Sequence, residues 1–179
     1  MTSKLCRFAK AFRSDESGNA NTVSFAIWTP ALLLTLATAM EVGVYTARAT
    51  LLERGMDMVA RDIRLDTGIP PQHNEIKAAI CEKASIIPDC AANLRLEMIP
   101  QDMRNWQSIS AVADCTDRSK EVAPLRSFTP GQDNEMMILR ACAKIQPILP
   151  MTWLAGAIET DAAGDYAVVA ISAFVQEPR

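Results

Sequence analysis

Five cysteines and a single histidine are the residues of this chain best suited to chemistry. Cys6 lies near the start, whereas Cys81, Cys90, Cys115 and Cys142 all lie beyond residue 80. An even set of four suggests two disulfides in an oxidising compartment. Three pairings are possible. Cys81–Cys90 and Cys115–Cys142 are expected, because each closes a local unit. The first would tie a short helix to the chain entering the first strand, and the second the end of one strand to the middle of another. Zinc is a competing use, but there is no CxxC, and His73 is the only imidazole, so four-ligand spacing is poor. Four reduced, buried cysteines are the third reading. A Ser-His-Asp or Cys-His pair would have to use His73, which lies in a Pro-Pro-Gln-His-Asn loop, where a solvated histidine is the commoner state. There is no P-loop and no GxGxxG, and the carboxylates show no spacing that selects a pair. The residues therefore point to no catalytic, cofactor-binding or metal site, and to a protein that is not an enzyme.

The elements that position the cysteines begin with a membrane segment. The first 18 residues carry Lys4, Arg7, Lys10 and Arg13 against Asp15 and Glu16, a local net charge of +2. The whole chain of 179 residues carries −3, so the remainder carries −5. Such a balance offers no basic excess to neutralise phosphates, which argues against a nucleic-acid partner. Val23 to Val44 follows, VSFAIWTPALLLTLATAMEVGV, long enough as a helix (~33 Å) to cross a ~30 Å hydrocarbon core. Glu41, its one ionisable residue, lies near the far end, where a carboxylate can reach the interface. Trp28 and Tyr45 sit near the two ends, as interfacial aromatics do. Pro30 removes a backbone donor in the first third. A buried core helix and a cleaved signal, with Ala37-Thr38-Ala39 as the cut, are the alternatives. A retained anchor explains more: the basic flank stays cytoplasmic, and residues beyond ~45 lie outside.

The helix should continue past the membrane. Tyr45, Ala49, Leu52, Met56, Val59 and Ile63 form one apolar stripe, with charged residues on the other positions. Gly68 and Pro70-Pro71 supply the stop. The stripe suits either the core of the head or a seam to a partner. Three segments follow: a leader over 1–18, a long helix over 19–68 and a head over 69–179. In the head, Glu75 to Ala84 reads as a helix. Leu94, Leu96 and Met98 alternate with Arg95 and Glu97 in a half-buried strand closed by Pro100. Ile109 to Ala113 is a weaker strand, Met136 to Gln146 a longer apolar run, and Met151 to Ile158 a short helix. Tyr166 to Val175, apolar on both faces, is expected at the centre of a sheet. Trp106 and Trp153 read as core or interface anchors. The fold class is α+β, with a long N-terminal helix and a small antiparallel-sheet head.

A basic leader, a glycine, one apolar helix with proline in its first third, then Glu-x-Gly and an Arg-x-x-Arg helix end form an ordered set. The residues are Phe12-Arg13, Gly18, Val23-Ser24-Phe25, Pro30, Glu41-Val42-Gly43 and Arg61-Asp62-Ile63-Arg64, with Gly68 following. Over roughly residues 12–68 this resembles the TadE-like proteins, pseudopilins of the tight-adherence (Flp-type) pilus machinery of bacteria. The resemblance implies a pilin-like fold and a single-pass protein of the bacterial inner membrane with a periplasmic head. It also implies a role in assembling adhesive pili, with pilin-like or pilus-assembly proteins and membrane lipid as partners in a hetero-oligomer. Gly18 is then the candidate processing site for a prepilin peptidase. Ser24, Phe25, Pro30, Glu41 and Gly43 are candidates for helix packing. Ser24 stands where the family usually has glutamate, and the gap from Gly18 to Phe25 is one residue longer. An uncleaved anchored protein is the alternative to a processed pseudopilin. The alternative function is an envelope-anchored binding module of another system, with the helix only a tether.

Overall fold

The computed structural model describes residues 20–65, 71–116, 128–149 and 157–178. The leader with Cys6 and Gly18, the stop at Gly68 and Pro70, and the segment 151–156 with Trp153 lie outside these residues. By contacts the chain divides into two units, Met1–Ala39 and Met40–Arg179.

Helix α1, Ala20–Leu65, runs without interruption through Pro30. Its apolar residues change character along its length. Val23, Phe25, Ile27, Trp28, Leu32, Leu33, Leu34 and Leu36 are all more than half exposed. Leu52, Met56, Val59, Ala60 and Ile63 are buried, with Tyr45 and Ala49 packed against the same cluster. The stripe legible in the sequence is therefore the core face of the head.

Two short helices follow, α2 (His73–Lys83) and α3 (Cys90–Asn93). In α2, Ile76 and Ile80 recur one turn apart and enter the core, followed by Ala84 and Ile87. The strands are β1 (Arg95–Gln101), β2 (Met136–Ile145) and β3 (Tyr166–Val175). Among the described residues they form one antiparallel sheet in the order β1-β2-β3, with Leu96 opposite Ala141 and Ala141 opposite Ala170. Leu96, Met98, Met137, Leu139, Ala141, Ala143, Ile145, Tyr166, Val168, Ala170 and Phe174 share the inner face and complete the core begun by α1 and α2. The α+β class holds.

Several expectations are corrected. Among the described residues the apolar strand Tyr166–Val175 is an edge strand, and β2 is the centre. Its two faces do not both pack: Val169, Ile171 and Val175 point outward and stay 42%, 58% and 45% exposed. Pro100 does not close β1, which continues to Gln101. An edge strand tolerates a residue with no N–H. Ile109 to Ala113 is irregular rather than a strand. Its backbone instead serves the sheet, Ser110 O accepting a hydrogen bond from Arg140 Nη1 at 2.6 Å.

Candidate functional site

The first candidate site is the exposed part of α1. The helix is long and apolar enough to cross a membrane, and its most apolar 18-residue stretch is wholly unburied. The threonines in it turn inward on the helix itself. Thr29 Oγ1 donates to Phe25 O at 2.7 Å, Thr35 to Leu32 O at 2.8 Å, and Thr38 to Leu34 O at 2.8 Å. These hydroxyls thus need no water, which suits a helix in hydrocarbon. Ser24, Phe25 and Pro30 all stand exposed on this stretch. Gly43 has open space where a Cβ would project, so nothing among the described residues requires a glycine there.

Glu41 is placed differently. It is 2% exposed, and its carboxylate closes on the segment after β2. Oε1 accepts the Ile148 N–H and Oε2 the Leu149 N–H, each at 3.0 Å. Both amides lie past the end of the β2 ladder, and one side chain satisfies both. One turn along the helix, the Tyr45 and Tyr166 rings meet at 5.3 Å, and Arg48 Nη1 donates to the Tyr166 hydroxyl at 3.0 Å.

The four cysteines pair as Cys81–Cys90 and Cys115–Cys142, with Cα separations of 5.6 and 5.2 Å. The first ties α2 to the start of α3. The second ties the irregular segment after β1 to the outer face of β2, and none of the four is left as a metal ligand. Beneath that segment sits a pair that the residue types did not announce. Arg140 Nε bonds Glu97 Oε2, and the two side chains are 7% and 12% exposed. The alternation of Arg95 and Glu97 with Leu96 and Met98 suggested a solvated face. Here that face is covered, because the Cys115–Cys142 bridge and the Arg140–Ser110 bond hold the segment over it.

Asn93 is a second such residue. It is 2% exposed; its Nδ2 donates to Lys144 O at 2.5 Å and its Oδ1 accepts Lys144 N–H at 3.0 Å. The side chain so imitates one more step of the β1–β2 ladder. At the entry to β3, Asp161 accepts the N–H groups of Ala163 and Asp165 and pairs with Lys144 Nζ at 3.0 Å. Partial burial works against its ionisation. The Asp165 amide, the Lys144 ammonium and the Ala163 amide outweigh it, so the carboxyl titrates below its ordinary 3.8.

His73 begins α2, its Nδ1 3.1 Å from Asn74 Oδ1 and its ring edge-on to Phe128 at 5.3 Å. Among the described residues, no group of three or more His, Cys, Asp or Glu side chains is arranged to hold a metal ion. What the fold defines is a candidate single-pass protein, a bare apolar helix continuing into a disulfide-braced α+β head. Comparison with protein-family models, with curated proteins and with solved structures finds no match to this chain.

Proposed function

We propose that this protein is a membrane-anchored, non-enzymatic component of a bacterial pilus-assembly system, pilin-like in organisation and similar to the TadE-like pseudopilins. The observation that carries the reading is the continuity of α1. One helix is bare and apolar through its first half and supplies the head's core with its second. A tether alone needs no such continuity, since a flexible linker would do. A single unbroken helix suits a subunit whose anchor packs among other helices. The net +2 on residues 1–18 supports an N-terminus inside. The two disulfides support a head in the periplasm. The partners are then pilin-like helices in the inner membrane, reached through Ser24, Phe25, Pro30 and Gly43 on the exposed stretch.

Alkaline phosphatase fused at Arg179 is expected to be active; activity of a cytoplasm-only reporter at that position defeats the topology. Intact mass of the chain from its host reports processing: loss of residues 1–18 marks a pseudopilin, and an intact leader marks a static anchor. Deletion of the gene should abolish surface pili. Full-length protein should restore them, and a chain with Val23–Val44 replaced by an unrelated anchor should not. Restored piliation by that chimera would reduce the helix to a tether.

A further inference from the structure

The Glu41 clamp bears on the surface of the head as well as on its interior. The segment it holds is short of polar groups. Ile148 is 52% exposed although its N–H is bound. The sequence from Gln146 to Ile158, QPILPMTWLAGAI, carries no charged residue. On α1 the residues flanking Glu41 are apolar and exposed, Met40 at 65% and Val42 at 41%. So beside Glu41 the helix presents Met40 and Val42 outward, and the backbone bonded to it presents Ile148.

The helical rise sets that level. From Thr22 to Glu41 is about 28 Å at ~1.5 Å per residue, close to the thickness of a hydrocarbon core. A helix that crosses the bilayer from Thr22 therefore brings Glu41 to the far boundary, and Ile148 and Leu149 must lie at the same depth because they are bonded to it. An unpaired carboxylate and two unpaired amides would hold water there. Paired with one another they need less of it.

We propose that the β2–β3 connection at Pro147–Leu149 is a membrane-contact site. Ile148 enters the boundary between headgroups and acyl chains of the leaflet from which α1 emerges, and Glu41 fixes its depth. The occupant is a lipid surface, since the exposed Ile148 is bonded through its N–H to Glu41, at the end of the spanning helix. This rests on α1 spanning the membrane and is independent of the pilus role.

The test uses the full chain with Cys6→Ser, in nanodiscs of phosphatidylethanolamine and phosphatidylglycerol that hold one copy each. A nitroxide is placed singly at Ile148→Cys, at Gln146→Cys, at Leu33→Cys as the mid-span reference, and at Val112→Cys as the aqueous reference. Relaxation by oxygen against a nickel chelate reports depth. The expected result is an oxygen-to-nickel ratio at Ile148 shifted from the Val112 value toward the Leu33 value, with Gln146 shifted less. Ile148 matching Val112 while Leu33 reads deep overturns the contact and leaves the span intact. Ile148 shielded from both reagents means protein covers it, and overturns the contact too. An aqueous Leu33 refutes the span and the contact together.

Discussion

The two disulfides should differ in what they contribute, and the difference follows from loop length. Cys81–Cys90 closes a separation of 9 residues and Cys115–Cys142 one of 27. Restricting the unfolded chain is worth about 2.6 kcal/mol for the first and about 3.5 kcal/mol for the second on the chain-entropy relation. The gap, about 1 kcal/mol, depends only on the logarithm of the length ratio. Alanine is the replacement of choice because Cys90 and Cys142 are 9% and 1% exposed and would bury a serine hydroxyl. The small void left at Cys142 adds to the larger loss. Guanidinium titration of the full chain in detergent, followed by near-ultraviolet circular dichroism, reads both pairs. Cys115→Ala/Cys142→Ala should lower stability by about 1 kcal/mol more than Cys81→Ala/Cys90→Ala. Removing both should cost about 6 kcal/mol, comparable with the whole margin of a small domain, and leave the head unfolded at 37 °C. Equal costs, the reverse order, or a quadruple variant that melts like the parent would refute the reasoning.

Other outcomes follow from single contacts. Glu97→Ala should cost about 3–5 kcal/mol by stranding the buried Arg140 guanidinium, whereas Glu97→Leu with Arg140→Met should cost less than the single change; the same titration decides. Glu41→Ala should speed hydrogen exchange at the Ile148 and Leu149 amides by about one to two orders of magnitude, since each loses its acceptor. Asp161 titrates below its ordinary 3.8 when folded, so its ionised form stabilises the head above that pH, and the contribution is lost as pH falls through the lower folded value. Asp161→Asn should accordingly flatten the stability profile below pH 3.8 in acid titrations. Gly131→Ala would put a Cβ 2.8 Å from Cγ of the fully buried Met137 and should lower stability by about 1–3 kcal/mol through overpacking, read by the same denaturant midpoint.

The exposed row on β3 also affects handling of the protein. Among the described residues β3 is bridged on its outer side only at Tyr166, by Thr160, and a strand with no charge and no proline invites pairing with other chains along the rest of that edge. Lysine at Ile171, 58% exposed, is the conservative place to blunt it when the protein is prepared for the experiments above.

The features legible in the residues alone are those carried by short-range order. The apolar run, the stripe from Tyr45 to Ile63 and the short helix near residue 76 are periodic patterns, and a period needs no partner to be read. The Cys81–Cys90 pairing belongs with them, since a separation of 9 residues brings the two together with little help from the fold. What remained hidden depends on contacts far apart in the chain. Glu41 finds its amides more than a hundred residues away, at 148 and 149. Glu97 and Arg140 are surface types until the segment after β1 folds over them. Strand order was likewise beyond reach: the composition of Tyr166–Val175 would suit a central strand, and only the sheet as assembled puts it at an edge. Local pattern reports which face of an element prefers to be dry, whereas the tertiary structure decides what covers that face, or whether anything does.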